Sequence, residues 1–241
     1  MIIIGATSGI GASLARQAVE KGYTVGGTGR RVERLQSLKD ELGESFFFKK
    51  MDVVDRDDAA RQLHSLIEEM GGMDIIVLNS GISNYPSSSI IDMEQEVVDV
   101  NISGFIRLFG EAFKYFKSRG SGQIVGVSSI ASLFGAARAA PYSASKAFIS
   151  NYMQAYRQRC NASGKYNITI TDVKPGFVVS EMTEDVPGMF WVADTDKAVR
   201  QMLHDIEKKK SYSYITRRWR LVAWLIKLTP NWVIDRLNIS A

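Results

Sequence analysis

Tyr142 and Lys146 stand four residues apart in the stretch Tyr142-Ser-Ala-Ser-Lys146. On a helix this spacing puts both side chains on one face. A phenol has a reference pKa of about 10, too high for easy proton transfer at neutral pH. A neighbouring ammonium favours the phenolate and lowers that value. The pair therefore predicts a general acid/base that carries its own tuner. Ser128 and Ser129 stand earlier in the chain, at the end of an apolar run. A hydroxyl placed there can hydrogen-bond the oxygen of a reacting carbonyl. A Tyr and a Lys at this spacing are also common on solvated helix faces, so the pair needs a site around it.

Other residues supply the makings of that site. Gly5-Ala-Thr-Ser-Gly9-Ile-Gly11 follows an apolar run and opens an amphipathic stretch. Glycines at a strand-to-helix turn let backbone amides approach a pyrophosphate at a helix N-terminus. The second such loop reads Thr28-Gly29-Arg30-Arg31, with no acid before Glu33 to hold a ribose 2′-hydroxyl. Arg30 and Arg31 instead suit a 2′-phosphate through their planar donor forks. Ser8 can add a hydroxyl there. Asp52-Val53 opens a third loop, where the carboxylate either accepts from an adenine amino group or caps the next helix. In Asn79-Ser-Gly81, Asn79 can hold neighbouring strands together and Gly81 can admit a cofactor closely.

These loops separate regularly alternating elements. Apolar runs predict strands over 2–4, 23–28, 46–51, 74–78, 123–128, 168–173 and 212–215. Amphipathic stretches predict helices over 9–21, 33–42, 57–70, 93–118, 142–160 and 194–210. The expected fold is α/β: a Rossmann-like, doubly wound parallel sheet of about seven strands with helices on both faces. Ligands in such folds bind at the carboxyl ends of the strands. The chemistry is therefore expected in loops that begin near residues 5, 29, 52, 79, 129 and 174. No repeat and no linker divides the chain. Residues 1–216 read as a dinucleotide-binding catalytic domain, and 217–241 as a basic, aromatic C-terminal tail of the same domain.

Composition removes other classes. One cysteine, Cys160, excludes a disulfide framework and points to a reducing compartment. Two histidines, His64 and His204, make a multi-His metal centre a poor reading, and no metal site is expected. No signal peptide is visible, and no apolar run approaches the roughly 20 residues of a membrane span. The formal net charge of +4 lies entirely in residues 217–241, where Arg217, Arg218, Arg220, Lys227 and Arg236 face Asp235 alone. The basic pI thus describes a tail and not a nucleic-acid-binding domain, and no nucleic-acid partner is expected.

In this order, the glycine turn, Asn79-Ser-Gly81, the paired serines and Tyr142-x-x-x-Lys146 resemble the short-chain dehydrogenase/reductase family, in its single-domain form of about 250 residues. The resemblance covers about residues 2–215. It implies cofactor contacts at Gly5, Thr7, Ser8, Gly9, Ile10 and Gly11, and an adenine-pocket acid at Asp52 beside Val53. It selects Ser129 over Ser128, because the family's serine lies thirteen residues before the tyrosine. It adds Asn101 as the family's helix asparagine. Pro175-Gly176 matches the turn after the sixth strand, with Val178 and Ser180 beyond it. Two departures are mild: Ser80 replaces an alanine, and Ser180 replaces a threonine that bonds the nicotinamide carboxamide.

The implied catalytic set is Asn101, Ser129, Tyr142 and Lys146. Ser129 holds the carbonyl oxygen, and Tyr142 gives its proton as the alkoxide forms. Lys146 tunes Tyr142 and binds the nicotinamide ribose. Asn101 fixes a helix bend and holds a water that relays protons toward Lys146. The implied cofactor is NADP(H) rather than NAD(H), favouring reduction. The expected small-molecule substrate is a bulky carbonyl compound, apolar or lipid-like, because Gly188-Met-Phe-Trp-Val192 makes the lid over 181–194 apolar and residues 136–141 leave small side chains beside Tyr142. Ser83, Asn84 and Tyr85 are expected on the opposite wall. A catalytically silent NADP(H)-binding regulator or scaffold is the alternative. A homo-oligomer, dimer or tetramer, is expected, in the cytoplasm or associated with a membrane. The tail, holding Trp219, Trp224 and Trp232, has three readings: a subunit interface, a peripheral membrane contact, or a cap on the substrate site.

Overall fold

The computed structural model describes residues 1–83, 91–183 and 188–236. Asn84 and Tyr85, part of the expected lid (184–187) and the end of the tail (237–241) lie outside the described residues.

Seven parallel strands form one sheet in the order β3-β2-β1-β4-β5-β6-β7. They are β1 (Ile2–Ile4), β2 (Val25–Gly29), β3 (Phe46–Lys50), β4 (Ile75–Leu78), β5 (Ser121–Val127), β6 (Asn167–Pro175) and β7 (Tyr212–Ile215). The chain winds outward from β1 to β3, crosses back to β4 beside β1, and continues to β7. The order therefore reverses between β1 and β4, where such sheets leave a crevice beyond the strand ends.

The apolar strands bury both faces, and their alternation sorts residues between two cores. Ile3, Val77, Val125 and Val173 pack under α1 (Gly9–Glu20), α2 (Val32–Leu42) and α7 (Thr195–Glu207). Ile2, Ile4, Ile76, Leu78, Ile124, Ile168 and Ile170 pack under α3 (Arg56–Glu69), α5 (Phe105–Arg119) and α6 (Ala140–Ser163). Helix α6 starts two residues earlier than the pattern predicts. Pro141 occupies its first turn, where an absent amide proton costs nothing.

The single helix expected over 93–118 is interrupted. It runs as α4 (Ile91–Val98), a π-helical turn Asp99–Gly104, and α5. The cause is local. Asn101 is fully buried and both donates to and accepts from the Ile82 backbone, at 2.9 Å each way. A Cβ on Gly104 would lie 2.8 Å from Val53 Cβ, so glycine lets the widened turn close onto that loop. In the tail, α8 (Trp219–Leu228) and α9 (Asn231–Ile234) are separated at Pro230.

The α5–α6 contact is aromatic. Phe109 is fully buried, with ring centroids of Tyr156 at 4.7 Å and Tyr152 at 5.2 Å, both edge-on. Phe109→Ala should lower unfolding stability by about 3–5 kcal/mol, measured from urea denaturation midpoints. A loss below about 1 kcal/mol would show that this contact is not close-packed.

Candidate active site

The crevice at the switch point is built from backbone. The amides of Gly5 and Ala6 both donate to the Thr28 carbonyl, at 3.0 and 2.8 Å. The Asn79 amide donates to Ile4, and its Nδ2 donates to the Gly5 carbonyl at 2.8 Å. Asn79 thus locks β4 to the turn after β1. Gly5 has φ +88°, and a Cβ there would stand 2.9 Å from Ser80 Cα. A Cβ on Gly11 would lie only 1.9 Å from the Gly5 carbonyl oxygen. Gly11 therefore lets α1 close onto the turn, and it lies behind the crevice rather than on its wall.

A cleft of about 420 Å³ runs from this turn in both directions. Its neck is lined by Gly5, Thr7, Ser8, Gly9 and Ile10, at the N-terminus of α1. Arg30, Arg31, Asp52 and Val53 line one end, and Asn79 and Gly81 the floor. Ser129, Tyr142 and Lys146 line the other end, facing Pro175, Gly176, Val178 and Ser180. The structure thus gathers every sequence-expected cofactor residue except Gly11 around one cleft. Asp52 does not cap the following helix: its carboxylate accepts from the Val54 amide, and Asp55 caps α3.

The arginine end holds more charge than the sequence reading found. Arg31 donates to Thr7 Oγ1 at 2.9 Å and Ser8 Oγ at 2.7 Å, and pairs with Glu181 at 2.8 Å. Arg34 pairs with the other oxygen of the same carboxylate. Hydrogen bonds from Arg31, then Arg34, hold the Glu181 carboxyl down to about 2. Arg34 and Glu181 were missed in sequence. Arg34 was legible, one helical turn after Arg31, whereas Glu181 comes from a distant loop. Among the described residues Arg30 makes no ion pair.

At the opposite end, Lys146 is buried and donates to the Val127 carbonyl at 3.0 Å. Burial pushes its pKa down to about 8, with Asp172 pulling the other way. Its Nζ stands 5.5 Å from the Tyr142 ring centroid. The two serines differ. Ser128 donates to the buried Asp172 carboxylate. Ser129 accepts from the Ala131 amide at 3.1 Å, and its own proton has no acceptor among the described residues. Asn101 is not on the cleft wall. It sits behind Gly81, bonded to Ile82 and to Ser145 Oγ at 3.0 Å on α6.

The far wall is backed by an aromatic cluster that does not itself line the cleft. Ser180 shares a hydrogen bond with Thr183, another cleft residue missed in sequence, which in turn donates to the Val178 carbonyl. The lid strand returns through a bridge between Val178 and Ala193. Phe177, Phe190 and Trp191 all meet Trp219 with ring centroids 5.1 to 6.0 Å apart. Trp219 occupies the space a Cβ on Gly176 would take, 2.0 Å from that point. The start of the tail therefore packs in cis against the turn that lines the cleft.

A narrow glycine neck, a helix N-terminus and a pair of arginines fit a dinucleotide bearing an extra phosphate. A Cβ on Gly81 would stand 3.1 Å from Lys146 Nζ and 3.2 Å from Asn101 Oδ1, so any side chain there would crowd both. Among the described residues no group of histidines, cysteines and acids can hold a metal.

Residues 1–189 match the family described as short chain dehydrogenase. The chain belongs to that family. It is 31% identical to an uncharacterized oxidoreductase of Myxococcus xanthus, over 97% of this chain and 94% of that protein. It is 31% identical to the NADP-dependent 3-hydroxy acid dehydrogenase YdfG of Escherichia coli K12, over 74% of this chain and 72% of the relative. A solved serine dehydrogenase from Escherichia coli superposes with TM-score 0.67 at 30% identity, covering 74% of this chain and 83% of that one.

Glu181 occupies the arginines as a phosphate would. Glu181→Gln should tighten binding of 2′-AMP several-fold in calorimetric titration. Unchanged affinity would show that the carboxylate does not compete for these guanidiniums.

Proposed function

We propose that this short-chain dehydrogenase uses NADP(H) to interconvert a carbonyl and a secondary alcohol, and acts chiefly as a reductase of an apolar, lipid-like ketone. One observation carries the reading: a single cleft joins an arginine-lined end to Ser129, Tyr142 and Lys146. The NADP dependence of the 3-hydroxy acid dehydrogenase relative supports the cofactor. Arg30, Arg31 and Ser8 would hold its 2′-phosphate, the amides at the start of α1 its pyrophosphate, and Asp52 its adenine. Lys146, Asn79 and Ser180 would hold the nicotinamide half.

When bound, the nicotinamide supplies the hydride equivalent. The chain's own groups manage the oxygen and the proton. Ser129 donates its uncommitted hydroxyl proton to the substrate oxygen. Tyr142 delivers a proton to that oxygen as negative charge develops on it. The Lys146 ammonium stabilises the phenolate left behind. Asn101 keeps the π turn and the Ile82 backbone in place behind the cofactor floor.

The substrate preference rests on what lines the cleft. Its described cations are Arg30 and Arg31 at the cofactor end and Lys146 at the base. Lys146 is thus the described cation at the catalytic end, already bonded to a backbone carbonyl, whereas Ile82, Val178 and Met182 line the cleft with apolar surface. A small 3-hydroxy acid is the competing reading, favoured by the named relative.

Tyr142→Phe should lower turnover of apolar ketones by about 10²–10⁴-fold while leaving NADPH binding intact. Arg30→Ala with Arg31→Ala should weaken NADPH far more than NADH. Ketone reduction should fade as pH rises through about 8, where buried Lys146 loses its proton. NADPH binding without turnover of ketones or hydroxy acids would instead support the silent scaffold.

The same reading extends to the tail. Helix α8 buries Trp219 and Ala223 but presents Leu221, Trp224, Leu225 and Leu228 outward, each more than half exposed. Arg217, Arg220 and Lys227 line a groove with Trp224 beside this stripe. Packing two copies about a two-fold axis would bring these cations together, whereas an anionic membrane surface neutralises them. No helix among the described residues is long and apolar enough to cross a membrane, so the contact would be peripheral. The protein should float with vesicles of 30% phosphatidylserine (about a third anionic lipid) and not with pure phosphatidylcholine. Loss of binding in Leu225→Glu/Leu228→Glu would support this contact. Dissociation of a dimer or tetramer in that variant, seen by light scattering, would assign the face to subunit contact.

A further inference from the structure

Strand β6 breaks its own pattern. Ile168 and Ile170 face the core under α6, as the two-residue period requires. The next two positions on that face are Asp172 and Lys174, and both are charged and essentially fully buried. They form an ion pair at 2.8 Å. A buried ion pair is not a stabilising choice, because apolar residues of similar volume usually serve the fold as well or better. The apolar alternative is used two and four residues earlier on the same strand. The pair therefore calls for a reason other than stability.

The reason lies in what the pair touches. Lys174 Nζ donates to Asp172, to Ser150 Oγ at 2.6 Å and to Ser132 Oγ at 3.0 Å, with Ser128 Oγ at 3.3 Å. An ammonium has three protons, so the three short contacts use them all. The Asp172 carboxylate accepts from Ser128 on one oxygen and from Ser150 at 2.8 Å on the other. Each partner has a meaningful address. Ser128 immediately precedes Ser129. Ser132 lies in the short 3₁₀ turn Ile130–Leu133, which Ser129 caps. Ser150 stands on α6 one turn beyond Lys146, as Tyr142 stands one turn before it. The pair thus grips the chain on both sides of Ser129 and ties it to the helix that carries Tyr142 and Lys146.

We infer that Asp172 and Lys174 are positioning residues that hold Ser129 in register with Tyr142 and Lys146. The inference rests on the proposed role of Ser129 at the substrate oxygen. Ser129 is buried, and its side chain makes one hydrogen bond, from the Ala131 amide, within its own turn. Ala131 shares a small apolar cluster with Tyr142, and to that undirected packing the ion pair adds a directional tie to α6. Apolar side chains would fill the same space, but dispersion contacts have no preferred direction and allow the turn to slide. Charge-assisted hydrogen bonds fix both distance and direction.

The test replaces the pair by apolar residues of similar size, Asp172→Leu with Lys174→Met. A milder variant, Ser132→Ala, removes only the tie to the turn. The first readout is hydrogen–deuterium exchange of the free protein. Amides of residues 130–133 should exchange at least several-fold faster in both variants, while those of β1, β4 and β5 stay protected. The second readout is kinetic. With NADPH and an apolar ketone, kcat should fall about tenfold or more in the double variant, with KM and the NADPH dissociation constant little changed. Wild-type exchange over 130–133 in Ser132→Ala and in a folded double variant would overturn the inference, as would wild-type kcat in both. If the wild type itself reduces no ketone or keto acid, the proposed function fails, and exchange alone still decides whether the pair positions this turn.

Discussion

Lys146 donates to the carbonyl of Val127, the last residue of β5, and that hydrogen bond orients the working end of the molecule. A lysine this deeply buried is expensive, and burial has drawn its pKa down to about 8. Its position leaves little freedom to the rest. Because Lys146 points at the end of β5, the face of α6 that meets the cleft is decided. Tyr142 then falls one turn away on that face, and Ser150 falls one turn the other way over Asp172 and Lys174. The floor must also be open beside the ammonium, and Gly81 keeps it so. Asn101 holds the segment after Gly81 from behind and reaches Ser145 on the same helix.

The two ends of the cleft solve opposite electrostatic problems. At the lysine end charge is buried, so each ion has at least one oriented partner. Asp172 and Lys174 satisfy each other and three serines, and Lys146 has a backbone carbonyl. At the arginine end charge is half in water. Arg31, Arg34 and Glu181 are all substantially exposed, and their attraction is screened. That is a suitable arrangement for a site that exchanges one anion for another. Glu181 can leave the guanidiniums at modest cost, whereas the buried lysines cannot leave their partners. Glu181 lines the cleft beside Met182 and Thr183, so the same contact links the arginine end to the segment after β6.

The lid and the tail share a core of their own. Trp219 fills the space over Gly176 and gathers Phe177, Phe190 and Trp191 around it. The first turn of α8 is consequently part of the wall behind the cleft, while its opposite side remains apolar and exposed. A helix with apolar residues on both sides is normally covered on both. Basic residues flank that open side.

The sequence by itself determined the alternation of strands and helices, and with it the parallel sheet and the loops where chemistry must lie. Periodicity is a local property, and Ile2, Ile3 and Ile4 or Tyr142 and Lys146 carry it without reference to anything distant. The glycine turn and Arg30-Arg31 were legible for the same reason, since each acts through its own backbone or its own charge. A bend at Asn101 was legible through the family resemblance, but its π form and its partner Ile82, nineteen residues away, were not. Nor was the assignment of Gly11 to packing, which depends on Gly5 and Asn79 arriving at one point. The spacing to Tyr142 singled out Ser129, but the partners of Asp172 and Lys174 come from the end of β5, a 3₁₀ turn and α6, so only the folded chain shows that Ser128 serves an ion pair. Tertiary structure decided whatever required two distant segments to share a volume, because no local pattern records which segment will be the neighbour.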